Sequence, residues 1–321
     1  MSSISLQPQD KNYEDEAIGG EGVSMTRMVL TRFVRHKMAM ASLIVLVLFI
    51  IFAFVGPLVY WWEPTVQAGT IPNGAPPSAE HPFGTLTGSS DLMAMLMAGV
   101  AVSLKIAIVV AFFDILIGSL WGATAGLTGG LIDAMMMRVV DVVFIVPFLV
   151  IAATVVTAFG SPEWWQIALV IGLAGWGTTA RLVRAEVLSL REREYIEAAR
   201  AMGASNTRII LRHLLPNVTG IVLVSATLAI VIAILVEATL SFLGLGLTFP
   251  NVSLGYLVDR GVDFMRPKPW MFYIPGLTLV LLCVTFNYIG DGLRDAFDPN
   301  QKMTSKKKKK KRKAPAIPRQ S

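Results

Sequence analysis

Long apolar runs alternate with short polar connectors along most of this chain. Runs at roughly 38–60, 98–126, 136–159, 164–182, 218–242 and 270–290 each approach the ~20 apolar residues a helix needs to cross a hydrocarbon core. Such runs predict an all-α, polytopic membrane protein with six transmembrane helices. Aromatic residues mark two of the run ends: Tyr60-Trp61-Trp62 closes the first and Trp164-Trp165 opens the fourth. Amphipathic rings of this kind favour the membrane–water interface.

The flanks read differently. Residues 1–25 are polar and net acidic, which predicts a disordered tail. Over 26–37, Arg27, Arg32, Arg35 and Lys37 alternate with Met28, Val29, Leu30, Phe33 and Val34 at near-helical spacing. That pattern predicts a short amphipathic helix lying on the inner membrane face. Residues 38–300 then form the transmembrane domain, with a polar connector at 183–217. A polybasic, disordered tail follows at 301–321, carrying Lys306 through Lys311, Arg312 and Lys313. Each such charge gains roughly 1 kcal/mol near an anionic leaflet, so membrane lipids, not nucleic acid, are its expected partner.

Composition supports the membrane class: 54% of residues are hydrophobic and 16% charged. The net charge of +6 matters less than where it lies. With the N-terminus in the cytoplasm, six spans return the C-terminus there, and the cytoplasmic segments, with Arg138 and Arg181 at the adjoining span ends, hold 24 of the 28 Lys and Arg residues. Segment 61–97 holds none. The bias fixes the expected orientation, both termini cytoplasmic. The single cysteine, Cys283, lies in an apolar run and excludes an intrachain disulfide. The polar first 25 residues carry no apolar core, so no cleavable signal peptide is expected.

Within the spans, Gly118, Gly122 and Gly126 recur at four-residue intervals, a face that lets another helix backbone come close. Gly172, Gly175 and Gly177 offer similar room in the fourth span, and Pro147 predicts a kink in the third. Asp114, Asp141 and Glu237 are intramembrane acids. Each costs at least ~2.5 kcal/mol at mid-membrane, so each needs a partner or water. Arg138 is one turn from Asp141 and is its expected partner. Glu237 has no basic neighbour in sequence and is a candidate for the translocation path.

The connector 183–217 holds Arg184, Arg191, Arg193, Arg200, Arg208 and Arg212 together with Glu186, Glu192, Glu194 and Glu197. Val183, Val187, Leu190 and Ile196 predict a helix over 183–202. Gly203 can take the left-handed geometry that ends it, and Ser205 or Asn206 can cap a second helix over 206–214. Pro216 then marks the start of the fifth span. Two short helices tied to two spans make a lever that a soluble partner could move.

The residues Glu197-Ala198-Ala199, Gly203 and Leu215-Pro216 stand at the spacing of the EAA signature, and the connector resembles that of bacterial ABC importer permeases. His213 replaces the usual isoleucine, as in the peptide-importer branch. His81-Pro82-Phe83-Gly84-Thr85 resembles the motif before span two in C-type permeases of dipeptide, oligopeptide and nickel importers. Where that family continues with Asp and then Gly-Arg-Asp, this chain has Leu86 and Gly88-Ser89-Ser90-Asp91. The runs Glu237 to Gly246 and Gly290 to Pro299 are similar to the family's span-five exit and C-terminal end. The resemblance covers about 30–300.

That resemblance implies the type I importer fold with a cytoplasmic coupling loop. It implies a bacterial inner-membrane permease subunit forming half of a pathway for short peptides. The implied partners are a homologous permease subunit in a heterodimer, two cytoplasmic ABC ATPase subunits and an extracytoplasmic substrate-binding protein. Glu197, Ala198, Ala199, Gly203, Leu215 and Pro216 would form the ATPase-coupling loop, with the turn around Gly203 seated in an ATPase cleft. No Gly-x-x-x-x-Gly-Lys-Ser/Thr run, catalytic triad or metal constellation occurs in the sequence. The chain is therefore expected to be non-catalytic and to bind no cofactor itself, with ATP and Mg on partner subunits. Nickel complexes, glutathione or another small solute are alternative cargoes. An ion-gradient-driven secondary transporter is the alternative from another class.

Overall fold

The computed structural model describes residues 25–64, 72–88, 90–160 and 162–298. Both terminal tails expected from the sequence, apart from Met25, and Ser89 lie outside the described residues. Helix α1 (Met25–Arg35) is followed by α2 (Lys37–Val59), α3 (Leu92–Thr128), α4 (Gly130–Ile145) and α5 (Phe148–Phe159). Then come α6 (Trp164–Leu190), α7 (Glu194–Ala201), α8 (Asn206–Phe242), α9 (Leu254–Val262) and α10 (Trp270–Phe297). A two-stranded antiparallel ribbon, β1 (Thr85–Leu86) with β2 (Ser90–Asp91), precedes α3. Helices α2, α3, α6, α8 and α10 are each long and apolar enough to cross a membrane, and α4 with α5 supplies a sixth crossing if the bent pair is one span.

The third span differs most from its expectation. The chain bends by 68° between α4 and α5. Pro147 removes a backbone donor and forces Val146 out of helical geometry, to φ −71° and ψ 122°. The outcome is a break between two helices, larger than a kink.

Helices α3 and α8 are each 37 residues long, about 55 Å at 1.5 Å per residue. Both are longer than a hydrocarbon core of about 30 Å. The glycine stripe of α3 lies against α6. A Cβ placed on Gly118 or Gly126 would meet Thr179 Cβ or Val187 Cγ1 at 2.8 Å, and one on Gly122 would overlap Ala180 O. Backbone thus meets backbone at this crossing, as the four-residue spacing predicts.

Two apolar clusters hold the ends of the bundle. One joins Leu92, Leu96 and Val100 of α3 to Ile234 of α8, Leu257 of α9, and Met271 and Leu282 of α10. The other joins Leu127 of α3, Val183 and Val187 of α6, Ile196 of α7, and Ile209, Leu214 and Val218 of α8. The second positions the site.

Candidate functional site: the Glu194–Leu215 turn and the polar links behind it

The expected helix over 183–202 is divided. Helix α6 runs on to Leu190, the chain turns at Arg191–Arg193, and α7 begins at Glu194. Helix α7 ends as the glycine predicts. Gly203 has φ +80°, its N–H donates to Arg200 O (2.9 Å), and Ala204 N–H donates to Ala199 O (3.0 Å). Those paired bonds close the last turn and need a residue that tolerates left-handed backbone. Ser205 caps the next helix by accepting from Arg208 N–H at 3.3 Å.

The expected second short helix is instead the first part of α8. Pro216 does not interrupt it, because the helix widens over Ile210–Leu214 and Leu215 N–H donates back to Ile210 O. One turn of wider spacing absorbs the donor that proline lacks. The connector therefore has one short helix, α7, lying between the ends of α6 and α8.

Helix α7 has two faces. Ile196 and Ala199 are buried, three residues apart, and Ile196 packs against α6 and α8. Glu194, Glu197, Ala198 and Ala201 face outward, and Met202 at the tip is 81% exposed. Glu197 makes no ion pair among the described residues. Leu215 is half-buried and Pro216 exposed. The anchoring face is apolar and the presented face carries a carboxylate, small residues and a flexible thioether.

Behind this turn, polar side chains tie the spans together. Asp141 meets Arg181 at 2.7 Å and Arg138 at 3.5 Å. The expected local pair is present, but the shorter contact comes from forty residues away. Arg184 forms a fork to Asp133 at 2.5 and 2.7 Å, and Arg191 donates to Gly126 O at 3.3 Å. Sequence reading singled out neither Asp133 nor Arg184 as a pair; an acid in a helix's first turn beside an apolar run was the one available signal. Asp114 accepts from the Thr179 hydroxyl at 2.7 Å, and Thr179 in turn meets Ser225 Oγ, so α3, α6 and α8 share one buried chain of hydrogen bonds.

Glu237 lies at the other end of α8, fully enclosed within the chain. Its Oε1 accepts from Ser241 (2.8 Å) and from Ser253 (2.6 Å), while Ser253 Oγ also caps α9 through Tyr256 N–H. The other oxygen lies beside Gly255, where an added Cβ would stand 3.0 Å from it. Within this chain, Glu237 fastens α9 to α8. Glu237→Ala leaves two buried hydroxyls without their acceptor and is expected to cost about 2–3 kcal/mol, with Glu237→Gln milder because one acceptor oxygen remains. Thermal unfolding of the detergent-solubilised assembly reads this directly, and equal midpoints for both variants would contradict the assignment.

The remaining motifs find structural roles. Asp91 caps α3 by accepting from Ala94 N–H (2.8 Å), and its other oxygen meets His81 Nδ1 (2.8 Å) and the Tyr60 hydroxyl (3.1 Å). Trp62 lies over His81 with centroids 4.9 Å apart. Tyr60 and Trp62 thus belong to a packed cap on this end of the bundle rather than to an interface belt alone. At the C-terminal end, Arg32 of α1 donates to Ala296 O (3.3 Å) and Asp298 O (3.0 Å), and His36 Nε2 lies 3.5 Å from Asp295. His36, His81 and His213 sit on separate elements. Among the described residues no group of His, Cys, Asp and Glu could hold a metal ion.

Long apolar helices, with a bent pair that can count as the third span and a polar turn between α6 and α8, define a multi-pass helical membrane protein. The model for the binding-protein-dependent transport system inner membrane component matches residues 115–303, and that for the N-terminal TM domain of oligopeptide transport permease C matches residues 24–77. The chain is 40% identical over 288 residues to the oligopeptide transport system permease protein OppC of Escherichia coli K12, covering 89% of this chain and 95% of that one. It is 35% identical over 292 residues to the dipeptide transport system permease protein DppC of Bacillus subtilis, covering 91% of each. Among solved structures, inward-facing MetNI methionine ABC transporter matches with a TM-score of 0.52 and 22% identity, over 64% of this chain and 98% of that one, a likeness of fold. The chain belongs to the binding-protein-dependent inner membrane component family, among ABC importer permeases of the dipeptide, oligopeptide and nickel type.

Proposed function

We propose that this chain is one half of the translocation pathway of an ATP-driven importer for short peptides. A homologous permease subunit supplies the other half. The α7 turn seats in a cleft of a cytoplasmic ATPase subunit, and both termini lie in the cytoplasm. The observation that carries this reading is the two-faced α7. Its buried face is welded to the extensions of α6 and α8, so a push on its outer face moves both spans. ATP-driven closure of two ATPase subunits then switches the spans between inward- and outward-facing states. An external binding protein delivers cargo to the side that carries α9 and the Asp91 cap. The peptide cargo rests on the names of the OppC and DppC relatives.

Glu197→Lys reverses the charge presented to the ATPase, and Gly203→Pro forbids φ +80° at the turn. Both are expected to lower ATP-dependent peptide uptake into vesicles at least about tenfold, a loss of about 1.4 kcal/mol in coupling or more. The spans should remain folded. Full uptake in both variants would defeat the lever. Copurification separates this reading from an ion-gradient-driven carrier, which needs no ATPase subunit.

A further inference from the structure

Lys105 is an ionisable residue of the spans that neither the turn nor the links behind it use. It lies within α3, is exposed, and forms an ion pair with no carboxylate among the described residues. Its ammonium faces the ring of Trp164, whose centroid is 5.8 Å from Nζ. Trp164 is the first residue of α6, so Lys105 stands level with the start of that helix, its outer end in the orientation proposed above. Just before it, Glu163 is held by Asn251 Nδ2 at 3.3 Å, which places the α8–α9 connection over the same region. The exposed residues one and two turns further along α3, Ile108 and Phe112, are apolar. A bare ammonium beside them is costly in lipid, and an intramembrane charge is retained where water or a charged partner meets it.

We propose that Lys105 lines the outer vestibule of the pathway and binds the C-terminal carboxylate of the peptide cargo. This rests on the peptide reading above. The ammonium offers three donors and a point charge to a carboxylate without demanding one fixed geometry, which suits cargo of varied sequence. The cation–π contact with Trp164 holds the side chain aside when no cargo is present.

The test uses the assembled transporter in proteoliposomes, with partner subunits cleared of cysteine. Lys105→Met is expected to lower uptake of a free tripeptide about tenfold relative to uptake of its C-terminal amide, while Lys105→Arg keeps most of the preference. The binding protein is the same throughout, so its own preference cancels in the ratio. Lys105→Cys is expected to react with a water-soluble aminoethyl methanethiosulfonate, which restores a positive charge and uptake, and free tripeptide should slow that reaction. Cys283, the chain's native thiol, is buried and adds little background. An unchanged acid-to-amide ratio in Lys105→Met overturns the proposal. So does a Lys105→Cys variant whose introduced thiol does not react or is not protected by tripeptide. Absence of tripeptide uptake by the unsubstituted transporter overturns the peptide reading itself, and is thereby distinguished from a failure at Lys105 alone.

Discussion

Gly122→Val is expected to prevent normal packing of α3 on α6 and to leave little folded transporter in the membrane. Even the first added carbon would overlap Ala180 O and stand 3.0 Å from Arg184 N. Both are backbone atoms, so relief requires the helices to separate. Overpacking of a tight core costs about 1–3 kcal/mol when side chains can adjust, and more where backbone must move. The separation would also pull on the Asp114–Thr179 hydrogen bond and on Arg191 at Gly126, because both link α3 to α6 and the turn that follows it. Gly175→Ala is the matched control: nothing lies within 4 Å of its added Cβ, and it should be nearly silent. Fluorescence-detected size exclusion of the two variants reads the difference. Equal monodisperse yield would mean the crossing is looser than described.

Arg184→Met should be the most damaging change among the charged residues behind the turn. It leaves the Asp133 carboxylate, only 10% exposed, without its two-pronged partner. Breaking a buried pair from one side costs about 3–5 kcal/mol, and the low end applies because the Arg184 side chain is a third exposed. The methionine keeps most of the apolar stem, so the loss reports the ion pair and not the packing. Adding Asp133→Asn removes the stranded charge and should recover part of the stability. Thermal midpoints of the single and double variants form the measurement. A double variant no more stable than Arg184→Met alone would show that Asp133 is stabilised by something else, such as the positive end of α4 on whose first turn it stands. Replacing Arg138, whose side chain is 85% exposed, should cost less than about 1 kcal/mol by comparison.

How far these features can be read in advance depends on the range of the interaction. The spans, the turn glycine and the capping serine follow from residues within a few positions of one another. The Gly118–Gly122–Gly126 stripe announces that some helix comes close, but nothing local says that the helix is α6. The pairs Asp133–Arg184 and Asp141–Arg181 join residues 51 and 40 positions apart, and spacing rules reach only one helical turn. Asp141 shows the limit well. Local reading gives Arg138, which is present at 3.5 Å, while the fold adds the closer Arg181. Pro216 shows another. A proline suggests a boundary, yet the helix passes through it by widening one turn over Ile210–Leu214.

The sequence alone determined which segments are long and apolar enough to cross a membrane, where charge gathers at their ends and where the turn glycine falls between the fourth and fifth of them. These depend on transfer of apolar side chains out of water and on single-residue backbone preferences, both carried by the local chain. The tertiary structure decided which acids are tied to which bases, that Glu237 is enclosed by Ser241 and Ser253, and that α7 is welded to two rigid helices. Those depend on surfaces that meet only when distant segments are brought together, and a residue cannot signal a partner it has not yet met.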